Sequence, residues 1–197
     1  MAALRDAPVL TLPPQEAEAL RAAYQAAGVI LEYGSGGSTV VAGSLPGRRV
    51  FAVESSAPWM TKMERWFAAN PPQARVTLHH GNIGKTKDWG FPVDAKAVTR
   101  WPSYPISVWD REDFQHPDVV LIDGRFRLAC ALTVLFRITR PLVVLIDDYL
   151  DRPGYKKIET LTGAPDMAGR MARFQFTPMA LPPADMQWIM AAYANPN

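Results

Sequence analysis

Five carboxylates stand at or next to the point where an apolar run stops. Glu32 lies in "LEYGSGGSTVVAG" (residues 31–43), Glu54 in "RVFAVESS", Asp123 in "DVVLIDGRFR", and Asp147 with Asp148 in "PLVVLIDDY". The carboxyl ends of buried strands converge on one rim of an open parallel sheet, and such sheets bind ligands at that rim. After Glu32, Gly34 and Gly36 let the chain turn sharply and leave backbone bare for close contact, with Ser35 between them. Gly37 then starts the next segment with no side chain in the way. Glu54 and Ser55 close the second apolar run, where a carboxylate can accept hydrogen bonds from the two hydroxyls of a ribose. The turn and Glu54 together describe a nucleoside site. The plainer alternative is that the glycines only join a strand to a helix and Glu54 only caps the helix that follows.

A dinucleotide turn reads Gly-x-Gly-x-x-Gly, but Thr39 occupies the third glycine position. Glu32 would also place a negative charge beside the pyrophosphate that such a turn binds. A carboxylate there suits a cationic ligand, and the usual cationic nucleoside cofactor is S-adenosylmethionine.

The elements needed to position these residues can be read from pattern. Residues 15–27 are rich in Ala, Leu and Glu without a breaker and predict a helix. Strands are expected at "VILEY", "RVFAVE", "ARVTLHHG", "DVVLID" and "PLVVLIDD". Helices are expected over residues 37–45, after a Ser55 or Ser56 cap where Trp59, Met63, Trp66 and Phe67 recur at helical spacing, over 126–139, and near 155–161. Two closing strands are expected near 170–177 and 186–193, paired antiparallel with a reversed strand at the sheet edge. Apolar strands alternating with helices predict an α/β fold, a parallel sheet covered on both faces. Between residues 84 and 117 the periodicity fails, and Trp89, Trp101 and Trp109 stand among prolines and charges in an expected ordered insertion. It could roof a substrate site, form a subunit contact or pack on its own domain.

The motifs "VILEYGSGG", "VFAVESS", "DVVLIDGRFR" and "VVLIDDY", in this order, resemble the class I S-adenosylmethionine-dependent methyltransferase fold from about residue 15 onward. That family's first motif is acid-x-Gly-x-Gly-x-Gly. Glu32, Gly34 and Gly36 match it, with Ser38 at the last position and Gly37 before it. The resemblance implies a three-layer Rossmann-like fold with a seven-stranded, mostly parallel sheet and an antiparallel edge hairpin. It assigns Glu54 to the ribose and Asn82, in "HHGNIG", to the place of an acid that holds adenine in many members. Glu32, Gly34, Ser35, Gly36, Gly37, Glu54, Ser55, Asn82 and Asp123 are accordingly the expected cofactor contacts.

Asp123, Asp147 and Asp148 also resemble the acid triplet that binds magnesium in catechol-type and macrocin-type O-methyltransferases. The "DG" and "DDY" dipeptides are closest to the macrocin type. A divalent cation there would lower the pKa of a substrate hydroxyl and orient it. The alternative is that Arg125, Arg127 or Arg152 neutralises these acids, leaving Asp123 or Asp147 as a base or an orienting group. Arg125, Arg127 and Tyr149 are candidate substrate contacts. His79, His80 and Cys130 have more ordinary structural readings.

Composition limits the function class. At 197 residues, 48% hydrophobic and 20% charged, the chain is expected to form one globular domain, 1–197. A net charge of +2 with scattered Lys and Arg gives no footprint for nucleic acid. The start has an acid and prolines instead of a secretory leader, no run reaches membrane-spanning length, and the single cysteine excludes an internal disulfide. A cytoplasmic setting, a small-molecule partner and no membrane are expected, and a homo-oligomer stays open. The expected activity is methyl transfer from S-adenosylmethionine to a small molecule, at oxygen. Its rivals are a methyltransferase-like nucleoside-binding protein without transfer, and an NAD-dependent oxidoreductase.

Overall fold

The structure, a computed structural model, describes residues 7–197. The reading of the chain's start rests in part on residues 1–6, which lie outside them. Pro14 opens α1 (Pro14–Ala26) at a position whose N–H would have no partner. Leu20 and Tyr24, four residues apart, bury one face of this helix. β1 (Val29–Tyr33) ends at Gly34 and leads into α2 (Gly37–Gly43). β2 (Arg49–Glu54) is buried along its length, and Ser56 then caps α3 (Ala57–Ala69) by accepting from the Trp59 N–H at 3.3 Å. β3 (Arg75–His80) precedes the irregular stretch, whose one short α-helical turn is α4 (Ser103–Ile106).

β4 (Val119–Ile122), α5 (Arg127–Arg137) and β5 (Leu142–Ile146) restore the alternation. A 3₁₀ turn at Pro153–Ile158 runs into α6 (Glu159–Thr162), followed by β6 (Asp166–Ala168), β7 (Met171–Phe176) and α7 (Met186–Ala192). The sheet has seven strands in the order β3-β2-β1-β4-β5-β7-β6. The first five are mutually parallel, and β7 runs antiparallel to both of its neighbours. Strand order reverses between β1 and β4, so the carboxyl ends of β1, β2 and β4 surround the switch point where ligands bind in such sheets.

Alternation along the strands divides the core. Leu31, Tyr33, Phe51, Val53, Val120 and Ile122 face α5, while Ile30, Val50, Val119, Leu121 and Leu145 share the other face with Leu20 and Tyr24 of α1. The result is three layers.

Two expectations are corrected. Residues 186–193 do not form a strand, because α7 occupies all but the last of them, with Ile189 and Ala192 buried at helical spacing while Met186 and Met190 face outward. The true hairpin partner is the three-residue β6, whose Asp-Met-Ala sequence carries no strand pattern. The tight turn at Gly169 (φ +59°) joins it to β7. The reversed strand therefore lies one position inside the edge. As for the insertion, Trp101 and Trp109 are buried in the core, with Trp109 Nε1 donating to the Tyr33 hydroxyl at 2.7 Å and that hydroxyl donating to Pro105 O at 2.6 Å. These bonds fasten the irregular stretch to the end of β1.

Candidate functional site

A cavity of about 840 Å³ opens at the switch point, between the turns after β1, β2 and β4. Its floor is the Gly34-Ser35-Gly36 turn. Gly34 has φ +104°, and a Cβ there would stand 2.9 Å from the Gly124 nitrogen, so only glycine lets the turns after β1 and β4 meet. Gly124 is equally constrained, because its Cβ would run into the Tyr104 hydroxyl.

Glu54 ties the first two turns together. Its Oε2 accepts from the Ser35 N–H (3.3 Å) and hydroxyl (2.9 Å), and its Oε1 accepts from the Ser56 N–H (2.8 Å). A carboxylate oxygen accepts about two hydrogen bonds, so Glu54 keeps capacity for a ligand in the cavity it lines. Trp59 Nε1 donates to Ser35 O at 2.8 Å, holding an indole at the cavity wall. Gly37 is bare for another reason. A Cβ there would overlap the backbone of Val9 and Leu10, because residues 8–12 cross over the turn and form part of the wall.

Gly34, Ser35, Gly36, Gly37, Glu54, Ser55, Asp123 and Arg125 all line this cavity. Other sequence-predicted residues lie elsewhere. Glu32 is fully buried beneath the turn, where its Oε1 accepts from the Tyr24 hydroxyl at 2.6 Å and its Oε2 makes no hydrogen bond of good geometry. Burial pushes its pKa up to about 7, although the hydroxyls of Thr39, Tyr24 and Ser38 offset part of that rise. Asn82 is outside the lining, and its Oδ1 accepts from the Gly84 N–H. Tyr149 is buried with its hydroxyl on Glu159 at 2.7 Å. Sequence reading missed Trp59, assigned to a packing face, and residues 8–12, which carry no motif. From sequence, Trp89 belongs to the insertion and has no single expected role. It stands at the cavity rim, 88% exposed and in left-handed geometry (φ 61°).

The second acid cluster does assemble, since Asp123, Asp147 and Asp148 each offer an oxygen within 4.8 Å of the others. Guanidinium groups take up these oxygens. Arg127 Nη2 lies 3.1 Å from Asp123 Oδ1 and 3.2 Å from Asp148 Oδ2. Arg170 Nη2 lies 2.8 Å from Asp147 Oδ2, and its Nε lies 3.2 Å from Asp147 Oδ1 and 3.1 Å from Asp148 Oδ1. Only Asp123 Oδ2 has no cationic partner among the described residues, so this donor set does not fit a divalent ion. Arg127 also donates to the backbone carbonyls of Gly124, Asp123 and Asp147. With its side chain only 5% exposed, it holds the cluster together and is closed to a substrate. Arg170 lies beyond the arginines weighed from sequence. Burial pushes the Asp123 carboxyl up to about 6, against the pull of Arg127.

Among the described residues no helix is long and apolar enough to cross a membrane. No protein-family model and no curated protein matches the sequence. A solved methyltransferase-like protein from Silicibacter pomeroyi does match, with 50% identity over 96% of this chain and 99% of that one, at a TM-score of 0.94. The O-methyltransferase TomG from Streptomyces achromogenes, solved with S-adenosylmethionine, shares the fold at 15% identity and a TM-score of 0.56, over 87% of this chain and 82% of that one. With half of its residues shared along nearly its whole length, on the same seven-stranded frame, the chain belongs to the methyltransferase-like proteins of the class I S-adenosylmethionine-dependent methyltransferase fold.

Proposed function

We propose that the protein transfers the methyl group of S-adenosylmethionine to an oxygen of a small-molecule acceptor. The observation that carries this reading is the cavity at the strand switch point, where the bare Gly34–Gly36 turn and Glu54 face one space. Glu54 Oε1, which accepts one hydrogen bond, would accept a second from a ribose hydroxyl, and Gly34 and Gly36 would let the nucleoside lie against backbone. When bound, the cofactor would supply an electrophilic methyl carbon on a sulfonium, whose sulfur would leave as a neutral thioether as the carbon passes in line to the acceptor oxygen. Asp123 is the one carboxylate of its cluster that lines the cavity, and its Oδ2 is free to take the proton of an acceptor hydroxyl. The crowding of Arg127 and Arg170 into the acid cluster supports a metal-independent reaction.

Calorimetric titration with S-adenosylhomocysteine tests the reading. Micromolar binding is expected, weakened about tenfold or more in Glu54→Gln, in line with the loss of hydrogen bonds to a charged group. No binding to the wild type, or equal binding to both proteins, would reject the cofactor assignment. NAD would be the next ligand to titrate. Binding without methyl transfer to any hydroxyl acceptor would point to a nucleoside-binding protein.

A further inference from the structure

Arg125 and Arg127 are two residues apart and differ in every contact that matters to a ligand. The guanidinium of Arg127 is consumed by carboxylates and carbonyls. That of Arg125 makes no hydrogen bond or ion pair among the described residues, although Glu54, Asp88 and Asp123 line the same cavity. Its Nε is buried without a partner, and its Cζ lies over the Phe91 ring, 4.1 Å from the centroid. A guanidinium whose one close partner is an aromatic face has its N–H donors unspent, and guanidinium donors match a carboxylate through two parallel hydrogen bonds.

We infer that Arg125 is the receptor for a carboxylate in this cavity. The unpartnered guanidinium of this cavity-lining residue is an unmet demand that a two-oxygen anion in the cavity satisfies, and an unpaired half-buried cation costs free energy that such an anion removes. Burial, with Arg127 nearby, also holds the Arg125 pKa below its usual value, so the site disfavours positive charge until an anion arrives. The two sources within reach are the amino-acid end of the cofactor and an acid group on the methyl acceptor. Both sources rest on the proposed methyl transfer, whereas the reading of Arg125 as a carboxylate receptor rests on its own contacts.

The test compares wild type, Arg125→Gln and Arg125→Lys by calorimetry, with thermal unfolding as the check on folding. S-adenosylhomocysteine is set against 5′-methylthioadenosine, which keeps the nucleoside and thioether and lacks the carboxylate. Benzoate is set against benzamide in a second arm. If the cofactor's carboxylate is read, Arg125→Gln weakens S-adenosylhomocysteine by about tenfold or more, as loss of a charge-assisted pair requires, and leaves methylthioadenosine unchanged. If the acceptor's is read, the same loss falls on benzoate and spares benzamide and both nucleosides. Arg125→Lys restores part of the affinity in either case and carries the test should the Gln variant not fold. Unchanged affinity for both carboxylates in Arg125→Gln would overturn the inference. Should the wild type bind neither nucleoside, the cofactor reading fails, while benzoate against benzamide on the ligand-free protein still decides the role of Arg125.

Discussion

The acids at the strand ends on the two sides of the switch point have opposite fates. On the β1–β2 side, Glu54 bonds only to neutral groups of the first two turns and stays on the cavity. On the β4–β5 side, Asp147 and Asp148 are gripped by Arg127 and Arg170, and only Asp123 reaches the cavity. Residue type and topological position are the same in both places, so neither decides which acid serves a ligand. That depends on whether the chain brings its own cation. The cations come from distant parts of the sequence, Arg127 from the first turn of α5 and Arg170 from the β6–β7 turn.

The comparison breaks most sharply at Arg127. Arg127→Met leaves three close carboxylates with one guanidinium, and removal of one partner from a buried charge network costs about 3–5 kcal/mol. Urea unfolding should show a loss of that size. A loss below about 1 kcal/mol, the range of exposed ion pairs, would mean that the cluster is not a structural unit.

Glu32 supplies the contrasting case of a buried acid with no cation. Its folded pKa of about 7 stands above the ordinary 4.5. The folded protein thus keeps a proton that the unfolded chain releases. The acid's contribution is fully present below about 4.5 and is lost as pH rises through about 7. Between pH 5 and pH 8 the stability difference between Glu32→Gln and wild type should move in favour of the variant by on the order of 2 kcal/mol. Asp123 titrates in both proteins, so its own contribution drops out, while its charge remains one of the causes that raise Glu32 in the wild type. A pH-independent difference would show that Glu32 is charged throughout.

The smallest expected effect is that of magnesium. Millimolar magnesium should leave the thermal midpoint and S-adenosylhomocysteine affinity unchanged, because guanidinium groups already occupy the oxygens it would need. A midpoint that rises with magnesium concentration, as ligand linkage requires, would show that the ion displaces Arg127 or Arg170.

The sequence made the strand-end acids, the glycine turn and the order of β1 to β5 legible, because each is a local pattern: an apolar run, a breaker, a polar stop. Whether Asp147 faces solvent, a metal or Arg170 is a long-range pairing 23 residues away, and no local pattern encodes it. The β6–β7 hairpin was hidden for a related reason, since Asp166–Ala168 becomes a strand by pairing with β7 and not by its own propensity. In "MQWIMAA" the apolar residues suit either period, and the burial of Ile189 and Ala192 chooses the helix. Residues 8–12 bear no chemistry of their own, yet they wall the cavity.

The crossing of residues 8–12 over Gly37 bears on the time at which the site exists during synthesis. These residues lead into α1, whose Glu16 accepts from the Arg170 N–H at 2.8 Å, a bond between positions 154 residues apart. Bacterial and eukaryotic ribosomes add about 5–20 residues per second. Leu20 and Tyr24 can pack on β1 to β5 as soon as those strands form, but a nascent chain at that stage would still lack the Glu16–Arg170 bond, the last fastening of the helix that carries this wall.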